Sequence, residues 1–354
     1  MLFSPITLRG IEFENRVVVS PMCEYSCDDG VANDWHLVNL GHYALSGPGL
    51  VIFEATAVSP EARITDRDLG LYSDACEDGM ARVVAFIRRW TRSKIGVQLA
   101  HAGRKASTLP PWEGGGSAGG DRAYQTVAPS AIPYGDWHTP AALDAAGLEK
   151  IKRDFVAAAQ RCARLGIDVI EMHFAHGYLG HQFLSPLTNH RTDAYGGSLE
   201  NRMRFPLELF DAVRAVWPQD RVLGVRISAT DWADGGWDVE QSIAFVRELQ
   251  RRGCDFVDTS SGGLVPQQKI AIGPGYQVPF SLTIKRATGA TTMAVGMITE
   301  PAQAETILTS GEADFIAIAR GFIRNPRWTW DAADALGGNA FVPPQYERGR
   351  KTRA

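Results

Sequence analysis

Eight short runs of apolar and β-branched residues punctuate this chain, at 17–22, 50–58, 94–101, 167–176, 222–229, 256–263, 292–298 and 315–322. A strand with one wet face alternates polar and apolar residues, and these runs do not. Near-continuous apolar runs suit strands covered on both faces, which belong in parallel sheets. The segments between them carry a helical period, over 77–92, 147–165, 198–217, 239–252 and 300–310. Weaker helix candidates fall at 34–45 and 279–288, and a last one at 325–336. Eight strands alternating with helices predict an α/β fold, a (β/α)8 TIM barrel. A doubly wound open sheet is the alternative, but no G-x-G-x-x-G turn opens a helix here.

No linker and no repeat of fixed period divides the 354 residues, so one domain over 1–354 is expected. Two segments escape the alternation. The stretch 108–140, after the third strand, is rich in Pro, Gly, Trp and Tyr, as lids and binding loops often are. The tail 341–354 is basic, with Arg348, Arg350, Lys351 and Arg353. The net charge of -4, with acids and bases nearly balanced, argues against nucleic-acid or membrane-surface binding. No run of about 18 apolar residues predicts a membrane span, and the N-terminus lacks a secretory pattern. Five scattered cysteines with no Cys-x-x-Cys pair predict neither a disulfide scaffold nor a clustered metal site. A reducing cytoplasm is the expected compartment.

Barrel enzymes gather their chemistry at the carboxyl ends of the strands. The fourth run leads into Glu171-Met172-His173-Phe174-Ala175-His176-Gly177-Tyr178. Two imidazoles and a phenol on one exit loop can grip a carbonyl oxygen and deliver a proton. The same three groups, or His173, His176 and His181, could instead be satisfied loop residues or metal ligands. The first strand ends at Ser20-Pro21-Met22-Cys23 with Tyr25 beyond it. The second ends near Ala57, and the third contains Gln98 and is followed by Arg104 and Lys105. Arg226 sits inside the fifth apolar run, where an arginine is costly unless it meets an anion or a buried acid such as Glu54 or Glu171. Strand six ends at Ser260-Ser261-Gly262-Gly263; Gly296 and Ala319-Arg320-Gly321 follow strands seven and eight, where barrels commonly hold a phosphate. Together these glycines and Arg320 predict a phosphate-bearing cofactor. Cys23 is read either as an inert thiol or as one that tunes a neighbouring cofactor through a weak S–H contact.

The stretch Asn189-His190-Arg191-Thr192-Asp193-Ala194-Tyr195-Gly196-Gly197-Ser198-Leu199-Glu200-Asn201-Arg202 is highly specific. With Pro21-Met22-Cys23-Glu24-Tyr25 and the His173/His176 motif, it resembles the old yellow enzyme family. These are FMN-dependent ene-reductases on a (β/α)8 barrel. Cys23 and the histidine pair resemble the thermophilic-like, bacterial xenobiotic-reductase branch. The resemblance implies hydride transfer from NADH or NADPH, through non-covalent FMN, to the β-carbon of α,β-unsaturated carbonyl or nitro compounds. It implies that Ser20, Pro21, Met22, Cys23, Ala57, Gln98 and Arg226 contact the isoalloxazine ring. Gly262, Gly296, Ala319 and Arg320 would hold the ribityl phosphate. His173 and His176 would bind the substrate oxygen, Tyr178 would donate the proton, and Tyr25 and Lys105 would line the substrate side. Arg348 matches a C-terminal arginine that enters a neighbouring subunit's site, which implies a homo-oligomer, dimer or tetramer. The alternatives are a dienoyl-CoA reductase-like flavoenzyme, a metal-dependent barrel hydrolase and a silent FMN-binding protein. The first would need extra cysteines and further domains that this chain lacks.

Overall fold

The computed structural model describes residues 1–349. Its barrel strands are β1 (Val17–Val19), β2 (Leu50–Ala57), β3 (Lys94–Ala100), β4 (Val169–Phe174), β5 (Val222–Ser228), β6 (Phe256–Ser260), β7 (Thr292–Ala294) and β8 (Phe315–Ile318). Each pairs in parallel with the next, and β8 closes on β1 through the register Ala317↔Val18. The (β/α)8 barrel expected from the eight runs is therefore the observed fold.

Every run overshoots its strand at the carboxyl end, for local reasons. After Val19 comes Pro21, which has no N–H for the ladder. After Phe174 the chain turns through His176 and Gly177, both at positive φ, 57° and 74°. After Ala294 it turns at Gly296, with φ of 122°. The residues that overshoot are thus the exit loops themselves.

The helices begin at side-chain caps that satisfy free N–H groups. Asn33 caps Asp34–Ala44, Ser73 caps Asp74–Trp90, Asp144 caps Ala145–Arg164, Ser198 caps Leu199–Val216 and Asp238 caps Val239–Arg251. Val278–Thr288 and Pro301–Thr309 follow β6 and β7. The helix expected over 325–336 begins later, as Trp328–Leu336, and a short helix Arg320–Arg324 precedes it, the two parted by Asn325, Pro326 and Arg327. Among the described residues no helix is long and apolar enough to cross a membrane.

The lower half of the barrel is packed solid with Val18, Leu50, Ile52, Val169, Val222, Phe256, Met293 and Phe315. An N-terminal hairpin, Ile6–Leu8 with Ile11–Phe13, covers that end. Its Phe13 meets Phe315 edge to face, with ring centroids 5.4 Å apart. Both rings are buried, each contributing about 1.5–3 kcal/mol by removal from water. Gly224 makes room for Phe256: a Cβ there would lie 2.2 Å from its ring.

One irregularity redirects a charge. The register of β2 against β3 slips between Phe53 and Ala55, leaving Glu54 as the bulge residue. Its carboxylate accepts the Glu24 N–H at 2.9 Å and lies 3.3 Å from His36 Nε2 on the first helix. All five cysteines are free, so Cys23 and Cys27 are not bridged. Of the tail, Arg348 is exposed in the 3-10 stretch Pro344–Gly349, while Arg350, Lys351 and Arg353 lie outside the described residues.

Candidate active site

Above the apolar filling, the barrel interior turns polar. Gln98 Nε2 on β3 donates to Glu171 Oε1 on β4 at 2.7 Å. Arg226 on β5 pairs with Asp258 on β6, Nε to Oδ2 at 3.1 Å, both side chains buried. The partner of Arg226 is therefore Asp258, and not Glu54, which the β2 bulge aims elsewhere. Burial raises both the Glu171 and Asp258 carboxyls, and the Arg226 charge opposes that rise. Glu171 Oε2 and both Asp258 oxygens have no hydrogen-bond partner among the described residues, and neither does Arg226 Nε, whose angle to Asp258 is poor. The barrel carries here a layer of polar groups with unspent hydrogen-bonding capacity.

The histidines stand on that layer. His173 is the sheet partner of Arg226. Its ring lies 5.1 Å from that of His176 and 5.0 Å from that of Tyr178, both edge to face. The Ala175 N–H points at His173 Nδ1, 3.3 Å away, which leaves Nε2 to carry the ring proton. His176 Nε2 is 2.7 Å from Ser260 Oγ, and its backbone N–H donates to Ser228 Oγ at 2.9 Å. Burial holds both imidazoles well below their ordinary pKa, and Arg226 adds to the effect. They are neutral hydrogen-bonding groups. Burial likewise pushes the Tyr178 phenol up, so it keeps its proton.

Lys105 stands behind this group. Its Nζ donates to the carbonyls of His176 and Gly263, at 2.8 and 2.9 Å, and burial lowers its pKa to about 8. Cys23 packs with Tyr178 against Ala55 and Ala100. Its thiol is pushed well up by burial, then by Asp68 and Glu54, so no thiolate is prepared there. Tyr25 takes a left-handed φ of 48° and meets Trp112 edge to face at 5.7 Å. Trp112 belongs to the long loop after β3. Arg104 ties that loop down by donating to the carbonyls of Ile132, Pro133 and Leu264.

Beside the histidines a cavity of about 680 Å³ opens, lined by Arg226, Ser260, Gln277, Gly296, Ala319 and Arg320 among others. A Cβ on Gly296 would come within 2.8 Å of Gln277 Nε2, so the glycine keeps this wall open. Ser20 directly follows β1, Ala57 ends β2, and Pro21 and Met22 lead on to Cys23. Gly262 does not line the cavity; its carbonyl accepts the Ser228 hydroxyl at 2.8 Å, and Ser260 takes the wall position. Arg348 lines neither the cavity nor the histidine group. Gln277 and Asp258 were missed in the sequence, and Ser228 and Ser260, visible there at strand ends, were given no role. Of the two missed, only Asp258, an acid inside an apolar run, left a signal there.

The three histidines of the hydrolase reading do not converge on a metal. Both ring nitrogens of His181 are spent, Nδ1 on the Gly177 N–H at 2.9 Å and Nε2 on Asp231 at 2.7 Å. The converging ligand set among the described residues is Glu24, His36 and Glu54, on the helix side of β2.

The family model described as "NADH:flavin oxidoreductase / NADH oxidase family" matches residues 1–338. The chain belongs to that family. An NADPH dehydrogenase of Geobacillus sp. (strain WCH70) is 46% identical over 352 residues, covering 99% of this chain and 98% of the relative. One from Bacillus subtilis (strain 168) is 44% identical, covering 98% of each. Among solved structures, morphinone reductase superposes with a TM-score of 0.79 at 30% identity, over 97% of this chain and 92% of that one. The resemblance to old yellow enzymes thus holds. As an NADH:flavin oxidoreductase the chain is an FMN-dependent enzyme with a nicotinamide donor. Its residues suit that cofactor: the wall at Gly296, kept open by the missing side chain, has the Arg320 guanidinium beside it, a setting in which a phosphate would fit, and the buried Arg226 Nε has hydrogen-bonding capacity to spare.

Proposed function

We propose that this flavin-dependent ene-reductase reduces the activated C=C bond of α,β-unsaturated carbonyl or nitro compounds at the site formed by His173, His176 and Tyr178. The observation that carries the reading is a gathering around His173, which stands on β4 beside Arg226 with its ring 5.1 Å from that of His176 and 5.0 Å from that of Tyr178, both on the loop that follows the strand. FMN, when bound, would supply the hydride-transfer chemistry between NADPH or NADH and the β-carbon of the substrate. The chain supplies everything else. Ser20, Pro21, Met22, Cys23, Ala57, Gln98 and Arg226 would hold the flavin ring, with the Arg226 guanidinium supplying positive charge beside it. Gly296, Ala319 and Arg320 receive the phosphate, with Ser260 and Gln277 added to the set.

His173 and His176 hydrogen-bond the activating oxygen and stabilise its developing charge, as preformed donors do in an oxyanion hole. His173 donates through the Nε2–H that Ala175 fixes. Tyr178, with its phenol proton retained, delivers a proton to the α-carbon. Tyr25 and Trp112 bound the substrate from the loop side, while Lys105 holds the loop carbonyls. Arg348 completes a neighbouring copy's site in a dimer or tetramer. The test is anaerobic: the purified yellow protein is reduced with NADPH or NADH, then mixed with a small panel of enones and nitroalkenes. Reoxidation by these compounds with formation of the saturated product supports the reading. A reduced protein that only oxygen reoxidises contradicts it.

A further inference from the structure

The loop that carries the two outer groups is strained. His176 and Gly177 are consecutive residues at φ of 57° and 74°, and the first is a side chain with a Cβ. Something must hold the Gly177 peptide, because its orientation aims His176 on one side and Tyr178 on the other. Four hydrogen bonds do so. Ser228 Oγ takes the His176 N–H, Lys105 Nζ takes its carbonyl, Gln182 Nε2 donates to the Gly177 carbonyl at 2.7 Å, and His181 Nδ1 accepts the Gly177 N–H at 2.9 Å.

The last is the most elaborately built. Accepting at Nδ1 obliges the neutral His181 ring to carry its proton on Nε2, which points at Asp231 Oδ1, 2.7 Å away. Asp231 is pinned in turn. Its Oδ2 accepts the Ser185 hydroxyl and the Trp237 N–H, both at 2.6 Å. His181, Ser185 and Asp231 are fully buried. Neither His181 nor Asp231 lines the cavity or joins the ring group, so neither touches a reacting atom.

We propose that His181 and Asp231 are positioning residues of the substrate site: Asp231 sets the His181 tautomer, and His181 Nδ1 locks the Gly177 peptide so that His176 and Tyr178 face one substrate. The proposal rests on the reading that His173 and His176 bind the substrate oxygen. It assigns the lock to Nδ1 specifically, and that is what separates it from a general packing role. An acceptor at the Nδ1 position should suffice, whatever the ring does for packing. An asparagine places its Oδ1 there, whereas a glutamine places its amide out at the Nε2 position and leaves Nδ1 empty.

The experiment compares His181→Asn with His181→Gln in the FMN-loaded protein. Binding of 4-hydroxybenzaldehyde, an anionic-oxygen ligand, is measured by calorimetry, with KM and kcat for an enone alongside. His181→Asn should bind within about threefold of wild type. His181→Gln should bind roughly ten- to hundredfold more weakly and raise KM, the scale expected when reactive groups drift by about an ångström. Asp231→Asn, which spoils the tautomer but not the bulk, should fall between them. Equal binding by the two His181 variants, or the reverse order, overturns the proposal. A His173→Ala, His176→Ala double variant is the control. If it binds the phenol as wild type does, the substrate-oxygen reading itself fails, whereas an unaffected His181→Gln beside a weakened control sinks only the positioning role.

Discussion

His173 and Arg226 are direct sheet partners, on β4 and β5 at the same level of the barrel. The Arg226 charge beside the two imidazoles adds to burial in keeping both from accepting a second proton. Their folded pKa values lie well below the ordinary 6.5, through burial first and Arg226 second. Between those lowered values and 6.5, the unfolded chain binds more protons than the folded one. Each histidine therefore removes stability as pH falls through 6.5. Replacing both by Asn should shrink the drop in Tm between pH 7 and pH 5. An unchanged slope would mean that the histidines are charged in the folded protein.

The same pair replaced by Ala should slow enone reduction far more than photochemical reduction of the flavin. Loss of one donor to a developing oxyanion costs about 2.7–4 kcal/mol in comparable sites. Stopped-flow rates of the two steps decide it, and equal losses in both would show the pair to be structural.

Glu24 offers a second pH signature, of opposite sign. Burial, then the neighbouring Glu54 charge, raises its carboxyl from 4.5 to about 8. Over that interval the folded chain holds a proton that the unfolded chain has lost, so stability falls as pH rises. Glu24→Gln resembles the protonated acid at every pH. The variant should match wild type near pH 4.5 and become progressively more stable up to about pH 8. Thermal melts across that range test it, and a constant difference would place Glu24 in a charge-paired state.

Cys23→Ala should leave FMN bound and turnover intact while moving the flavin potential. The thiol of half-buried Cys23 is held un-ionised, so it can act on the ring through a weak S–H contact and not as a nucleophile. Since about 30 mV corresponds to 1.4 kcal/mol for two electrons, a shift of tens of millivolts is the expected scale. Redox titration reads it directly. A dead enzyme with an unmoved potential would point to covalent chemistry at Cys23.

Gly177→Ala should damage the site out of proportion to its size. The new Cβ would lie 2.3 Å from the Gly263 carbonyl oxygen, at a φ of 74° that L-residues rarely adopt. Ligand binding should collapse while the circular dichroism of the barrel persists. Full ligand affinity would show the loop to be pliant.

The architecture was legible because it follows from burial alone: eight apolar runs need two covered faces each, and a closed parallel barrel provides them. The mouth was partly legible, since His173, His176 and Arg226 are polar intruders in apolar stretches. Other features depend on placement, which carries no period. Nothing before the fold marks Gln277 as a wall of the cavity, or Asp231 as the anchor of His181. The bulge at Glu54 is a one-residue slip that no pattern announces, and Glu54 there meets Glu24 and His36 while Arg226 pairs with Asp258 on the neighbouring strand. The N-terminal hairpin was missed because each of its strands is three residues long.

That hairpin has a kinetic consequence. With Phe13 wedged against Phe315, the floor of the barrel is a stopper, and visitors enter and leave at the other end. A nicotinamide and an enone would then share that one open end, and competition there is what the kinetics can read. Double-reciprocal plots should run parallel, and an excess of either partner should obstruct the other, as in a corridor wide enough for one.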